Sequence, residues 1–354
     1  MALHEYECPA CGGAMEFNPH TQKLKCPYCD SEFDVKDYVA NHNSSSEGTL
    51  SDSSEGESTS GDSKEPIYIY SCGSCGGEIL ATESLGSTKC PFCNNNIVVK
   101  EKFTGEFKPD YIIPFKKTKE DAIETYKSFV KSKRLVPKVF LEQNHIDEIK
   151  GVYVPFWLFD GKESFSGQYE ATKVRCWSDA RYNYTETKFY SVSRAGTESF
   201  EKVPADGSKE MPDDLMESLE PFDCTQMVPF NMGYLAGFFA NKYNVEAKEC
   251  EEHALNRMSV TASADFRNTI SGYNSVRPIS ESCHTIRASH SYALYPVYML
   301  STTWNDKNYI FAMNGQNGRF VGDLPFSLKQ ALKYYIPIAL IVAVIAFFCI
   351  LDML

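Results

Sequence analysis

The chain has 354 residues, 43% of them hydrophobic and 13% aromatic, which fills at least one core and excludes a disordered protein. Its formal net charge of −12, from 35 Lys+Arg against 47 Asp+Glu, argues against binding nucleic acid, and against anionic lipid apart from the lysines beside the C-terminal apolar segment, because basic side chains supply that affinity. Met1 to Tyr6 carry neither a basic patch nor an apolar stretch, so no secretory signal is expected and the bulk is expected in the cytoplasm.

Eight of the thirteen cysteines form two copies of one pattern, Cys8, Cys11, Cys26, Cys29 and Cys72, Cys75, Cys90, Cys93. Cysteines two residues apart wrap a tight knuckle around an ion, and two knuckles supply four thiolates in the tetrahedral arrangement that zinc accepts. The copies lie 64 residues apart and match beyond the ligands: Tyr6 with Tyr70, Gly12 and Gly13 with Gly76 and Gly77, Lys25 with Lys89, Pro27 with Pro91, Tyr28 with Phe92. The pattern therefore predicts a repeated zinc ribbon with two structural Zn2+ ions as cofactors. Gly12 and Gly76 stand where the chain turns back, with backbone N–H groups free to point at the sulfurs. Residues 15–17 and 22–25 suit a small hairpin. Modules of this size bury little, so metal is expected to supply about 10–16 kcal/mol of apparent binding energy per site. Iron of the rubredoxin type, a dithiol redox pair and disulfides are the competing readings. The second knuckle and an intracellular location favour zinc.

Residues 41–66 contain nine serines, six acidic residues and one lysine, with Leu50 the one large apolar side chain. Such a segment reads as a disordered linker that lets the first ribbon move independently of the second. Beyond the second ribbon, Thr118 is an N-cap for a helix with Ala122, Ile123, Tyr126, Phe129 and Val130 at helical spacing. Strands are expected over 152–159, over 165–177 across a turn at Asp160 and Gly161, and over 181–192. A second helix is expected over 245–258 with Asn244 as its cap. Strands follow over 292–303 and 309–313 with a turn at 305–307, and then a turn into 319–321. Val154-Pro155-Phe156-Trp157 and Tyr295-Pro296-Val297-Tyr298 repeat one order of proline, aromatic and apolar residues. The simpler reading is that each proline opens an edge strand, the alternative a duplicated helix-plus-strands unit.

From Ile336 to Leu351 no side chain is charged or strongly polar. A helix over 335–354 would rise about 30 Å, the thickness of a bilayer's hydrocarbon core. Pro337 falls in its first turn, where its missing N–H costs least. Lys329 and Lys333 precede it and Asp352 lies at its far end, which keeps the N-terminal bulk in the cytoplasm. The segment reads as a single-pass tail anchor in the cell membrane, against the alternative of a buried core helix. The fold class is accordingly α+β: zinc ribbon 1 over 1–40, the linker over 41–66, zinc ribbon 2 over 67–100, a β-rich globular domain with a few helices over 101–328, and a juxtamembrane segment with one C-terminal transmembrane helix over 329–354.

Cys-Pro-Tyr-Cys at 26–29, Cys-Pro-Phe-Cys at 90–93, Tyr153 to Gly161, Tyr295 to Leu300, and residues 311–316 with 321–325 resemble a family of bacterial membrane proteins carrying one or two ribbons of the transcription-factor-IIB type. Members are often labelled as similar to the primosomal replication-restart helicase. Some look like partners of phage-shock and flotillin-like membrane-stress proteins, anchors that bring a cytoplasmic protein to the bilayer. A helicase motor needs a phosphate-binding loop, and Gly161-Lys162 is followed by Glu163 with Phe156 where the first glycine belongs.

Charge then separates the remaining functions. Residues 1–40 hold three lysines against seven acidic residues, and residues 67–100 two against two, so neither ribbon is a basic surface. A membrane-anchored interaction or recruitment module for cytoplasmic or membrane-associated protein partners, in membrane-stress response, is preferred over a nucleic-acid-binding ribbon protein of transcription or replication. Cys250 with His253, and Cys283 with His284, have spacings that could meet a metal but lack further ligands. Asp213-Asp214 and Glu251-Glu252 point apart, so no catalytic residue is assigned and no enzyme is expected.

Overall fold

A computed structural model describes residues 6–38, 68–81, 90–93, 98–102, 108–141, 149–209, 211–305 and 307–353. The expected linker over 41–66 lies outside them. Ribbon 1 contributes β1 (Glu16–Asn18), β2 (Lys23–Lys25) and β3 (Glu32–Phe33), an antiparallel sheet in chain order with Phe17 opposite Leu24. Ribbon 2 contributes β4 (Tyr68–Ser71), β5 (Glu78–Ala81) and β6 (Val98–Lys102). The domain follows with β7 (Tyr111–Ile112), α1 (Lys119–Ser132), β8 (Lys150–Ser178), β9 (Asn183–Asp206), α2 (Asp213–Leu219), β10 (Val228–Pro229), β11 (Phe239–Asn241), α3 (Ala247–Asn268), β12 (Ser275–Trp304), β13 (Lys307–Asn314), β14 (Phe320–Gly322) and α4 (Leu328–Met353). The class is α+β, with sheet dominant.

The capping box expected at Thr118 is present: Asp121 N donates to Thr118 Oγ1 at 3.3 Å, and Thr118 N donates to the Asp121 carboxylate at 2.9 Å. The second helix departs from expectation at both ends. Asn244 is not its cap, because its Oδ1 accepts from Lys209 N at 2.8 Å, and the helix begins after Glu246. It also runs on to Asn268, since Cys250, Ala254, Met258 and Ala262 keep one buried stripe going.

Asp160 and Gly161 do not form a turn. β8 runs straight through them with a bulge between Phe159 and Gly161. The Asp160 carboxylate takes the N–H of Lys202 at 2.8 Å, and a Cβ on Gly161 would stand 2.5 Å from Met258 Sδ. The glycine thus lets α3 cross the strand. The hairpin turn lies further along, where Asp179 accepts from Arg181 N and Tyr182 N at 2.8 Å. β8, β9 and β12 extend as a long three-stranded blade. Phe165, Tyr169, Ala171 and Val192 face α3, with Phe165 stacked on Phe266 at 4.7 Å.

The echo around the two prolines is structural. Val154 pairs with Tyr295, Pro155 with Leu294 and Tyr153 with Pro296. Neither proline opens an edge strand, because β8 and β12 are partnered on both sides. Pairing with parallel β11 stops at Tyr153, and pairing with antiparallel β9, through its last residue Asp206, starts at Phe156, so Pro155 falls in the gap where no donor is needed. Pro296 falls in the matching gap between parallel β7, at Leu294, and antiparallel β13, at Val297. Beyond the gaps, Gly207 N donates to Pro155 O at 3.0 Å and Gly315 N to Pro296 O at 2.8 Å.

Both ribbons are built into the domain. Phe17 N donates to Ala236 O at 3.0 Å, Gln22 Nε2 donates to Phe115 O at 2.7 Å, and the Phe17 and Tyr234 rings meet edge to face. Met15, Phe17, Leu24 and Cys26 belong to the main core. In ribbon 2, β5 pairs antiparallel with β11, so its strands continue the domain's eleven-stranded sheet. The expectation of a first ribbon that moves independently is therefore corrected. Its apolar side chains are shared with the domain because three short strands cannot enclose them alone.

α4 also differs from expectation. It begins at Leu328, which leaves Pro337 inside the helix and not in its first turn. The added turns are docked: Ser327 N donates to Leu135 O at 2.9 Å, and Ala331 is buried. The stretch Leu328–Phe347 is long and apolar enough to cross a membrane, and its window is only 6% buried.

Candidate metal centres

Each ribbon brings its four cysteines to one point. In ribbon 1 the first knuckle closes with Cys8 N donating to Gly13 O at 2.8 Å and Gly12 N to Cys8 O at 2.8 Å, and Gly12 adopts φ +72°. In ribbon 2 the matching bonds are Cys72 N to Gly77 O and Gly76 N to Cys72 O, both at 2.9 Å, with Gly76 at φ +78°. These are the left-handed positions that glycine holds without strain. The second knuckle of ribbon 1 closes through Cys26 N to Ser31 O at 2.9 Å and Asp30 N to Cys26 O at 3.0 Å.

The four sulfurs of each set lie within 4.8 Å of one another. Cys8 and Cys29 Sγ are 3.4 Å apart and Cys11 and Cys26 3.5 Å; Cys72 and Cys93 are 3.4 Å apart and Cys75 and Cys90 3.7 Å. A tetrahedron of metal–sulfur bonds of about 2.3 Å has edges of about 3.8 Å, so both sets fit a thiolate-bound ion of zinc's size. A disulfide needs about 2.05 Å, and all eight cysteines are free. In each cluster two sulfurs are buried and two are more open.

The sulfurs differ in acidity. At Cys11 the Gly13 N–H pulls the pKa down, but the thiols of Cys29 and Cys26 outweigh it and push the group up to about 12. Cys29 is drawn down to about 6 by the Ser31 hydroxyl, the Ser31 N–H and the neighbouring thiols. Burial raises Cys72, yet the N–H groups of Cys75 and Ser74 and the thiol of Cys93 bring it to about 7. Cys90 rises to about 11 and Cys75 higher, burial being the largest cause for both. Cys29 thus ionises most readily in ribbon 1, beside the raised thiol of Cys11, and Cys72 in ribbon 2, beside the raised thiols of Cys75 and Cys90, which hold their protons. A divalent ion would expel those protons, so binding is coupled to proton release. Four protein sulfurs around one ion would leave no coordination position for water, the arrangement of a structural centre.

The remaining candidates do not assemble into a third centre among the described residues. Cys250 and His253 share one face of α3 and line a cavity of about 270 Å³ with Glu217, Glu249 and Arg257. The Cys250 thiol, however, donates to Asp206 O at 3.3 Å, while His253 lies 3.8 Å from Glu217. Cys283 and His284 are neighbours on a strand and point to opposite faces. Cys283 faces the buried Glu163 carboxylate at 3.4 Å, and His284 is exposed. Cys224 contacts the Tyr295 hydroxyl at 3.4 Å and Cys176 that of Thr185 at 3.7 Å.

Sequence reasoning missed the aromatic end of the blade. Trp177, Tyr182, Tyr184 and Phe189 are exposed, Trp177 stacks on Tyr184 at 5.5 Å, and Arg175 lies over the indole at 5.5 Å. The signal was the density of aromatic and basic residues over 173–190, which strand periodicity alone explains equally well.

No family model matches the chain, and no solved structure matches it. Over 334 residues it is 30% identical to the uncharacterized protein YdjG of Bacillus subtilis (strain 168), an alignment that covers 94% of each.

Proposed function

The chain belongs to the family of the Bacillus subtilis protein YdjG, and on that premise we propose a membrane-anchored zinc-ribbon protein that binds cytoplasmic or membrane-associated protein partners and holds them at the bilayer, in membrane-stress response. The observation that carries this reading is the C-terminal helix. Ile338, Leu340, Ile341, Val342, Val344, Ile345 and Phe347 are each more than half exposed, and the exposed Ala343 and Ala346 fill the sector between them, so every side of α4 over this stretch is apolar. Such a surface is costly in water and suited to lipid, in which a helix satisfies its own backbone. Zinc as the ion, transcription-factor-IIB-type kinship and descent of the ribbons from one repeated module belong to the same proposal. The matching knuckle bonds and sulfur spacings of the two clusters support the last of these.

Binding of proteins is supported by the open aromatic end of the blade, since Trp, Tyr and Arg supply most of the energy at protein interfaces. Binding of nucleic acid is opposed by ribbons whose charge is acidic or neutral. No catalytic role is assigned: four thiolates around an ion would leave it closed, and Cys176, Cys224, Cys250 and Cys283 each contact a neighbouring side chain or backbone group.

Deleting residues 335–354 should move the protein from the membrane fraction to the soluble one, and persistence at the membrane would refute the anchor. Crosslinking in native membranes should yield partner adducts that Trp177→Ala with Phe189→Ser removes. Adducts unchanged by that double substitution, or salt-dependent DNA binding by the ribbons, would refute the assignment of partners.

A further inference from the structure

The helix is not the whole of the lipid contact: we infer that the C-terminal end of α1 and the segment after it form, with Lys329 and Lys333, a basic collar that docks on the anionic headgroups around the helix. The inference rests on the membrane reading above and goes beyond it in naming a second surface and its ligand.

Residues 127–138 contain Lys127, Lys131, Lys133, Arg134 and Lys138 and no acidic residue, and residues 324–351 contain Lys329 and Lys333 and no acidic residue. Seven of the chain's 35 basic residues, and none of its 47 acidic ones, therefore lie in these two segments; the rest of the chain carries 28 against 47, a net of −19. The fold brings the segments together. Ser327 N donates to Leu135 O at 2.9 Å, Phe129 packs on Phe320 at 4.9 Å just before the helix, and Ala331 is buried in its first turn. Lys131, Lys133, Arg134, Lys329 and Lys333 are exposed. Phe326, Leu328 and Leu332 stand exposed beside them, and Tyr334 and Tyr335 follow at the height where aromatic rings meet headgroups.

A basic patch continuous with an apolar helix, on a chain that is otherwise acidic, complements one surface above others: a leaflet of anionic phospholipid. Because α4 is docked at its start through Ser327 and Ala331, the collar is held at the near end of the helix, at the depth of the headgroups.

The test uses the full chain reconstituted in vesicles of phosphatidylcholine alone or with about one-third phosphatidylglycerol. Amine acylation, followed by mass spectrometry, should slow about fivefold at Lys131 and Lys133 in the anionic vesicles, and the protection should vanish at about 0.5 M salt. Lys188, exposed on the blade, should react alike in both. Equal rates at Lys131 and Lys133 in the two vesicles would overturn the collar, as would protection that persists at about 0.5 M salt. Flotation with phosphatidylcholine vesicles after an alkaline wash reports the helix separately. A protein that fails to float refutes the anchor, whereas one that floats with equal labelling rates refutes the collar alone.

Discussion

If ribbon 1 is part of the domain core, removing its metal must be felt outside the ribbon. Cys26→Ser takes away one of four sulfurs and with it most of about 10–16 kcal/mol of apparent metal-binding energy. What then holds residues 6–38 is burial of Tyr6, Met15, Phe17, Leu24, Val35 and Tyr38 in the core shared with the domain. Three strands of two or three residues are marginal without the ion that staples them, so the ribbon loosens. Tyr234, Leu235 and Ala236 then lose their cover. Losing about 2–3 kcal/mol of burial there should raise hydrogen exchange over 230–238 on the order of a hundredfold. Hydrogen exchange with mass spectrometry reads this directly, with metal analysis falling from two zinc ions per chain to one. Rapid exchange over 6–38 with unchanged protection over 230–238 would refute the shared core, and an unchanged zinc content would refute the ligand set.

The equivalent change in ribbon 2, Cys90→Ser, should expose a different neighbour, raising exchange over 239–242, because β11 is paired with β5 and Lys242 N donates to Glu78 O at 3.1 Å. Gly315→Val should lower stability by about 1–3 kcal/mol in denaturant melts, since its Cβ would stand 2.5 Å from Phe115 Cδ1 and 3.0 Å from Pro296 Cβ. Gly73→Ala, with nothing within 4 Å of its Cβ, should change it by less than about 0.5 kcal/mol. Arg267 donates to both oxygens of Glu281, at 2.8 and 2.9 Å, and holds that carboxyl below its ordinary value of 4.5, with burial opposing. A depressed carboxyl stabilises the fold above its unfolded pKa and loses that contribution as pH falls through the folded one. Arg267→Met should therefore cost less than about 1 kcal/mol at neutral pH, discounted for a half-exposed guanidinium, and the deficit should close in acid as Glu281 protonates. A deficit that grows in acid would refute the pairing.

What could be read from the sequence depended on how local its cause was. The cysteine spacing, the Thr118 capping box and the unbroken apolar run before Asp352 each act within one or two turns of chain, and each appears where expected. Asp160 and Gly161 misled because the pair that serves a tight turn also serves a bulge, and the difference was made by Met258, nearly a hundred residues away. Strand ends were missed for a similar reason. One face of the blade is covered by α3 and the other carries Ser164, Ser166 and Gln168, so its polar alternation resembles a loop until the helix is in place. The shared ribbon core was equally hidden, since Met15, Phe17 and Leu24 are the residues a self-contained hairpin would also use.

The proline echo shows how much of a fold can stand on a faint trace. Val154 and Tyr295, equivalent in the two segments, are also partners in the sheet, so a local twofold passes between them. It relates β7-α1-β8-β9 to β11-α3-β12-β13, and the backbone bonds obey it. Gly207 O, after the first hairpin, accepts from Asn244 N and Val245 N just before α3; Gly315 O, after the second, accepts from Lys116 N and Lys117 N just before α1. Each unit thereby closes the entrance to the other's helix, and neither is complete alone. Beyond that frame the units diverge, and the divergence falls where the proposals lie. The helix of the second unit is 22 residues long and covers the blade, whereas that of the first stops after 14 and gives way to the basic segment beside α4. A symmetric frame with one elaborated end for partners and another for the bilayer explains why the charge is so unevenly spread, and why chain-average composition argued against a lipid contact that the fold concentrates in two short segments.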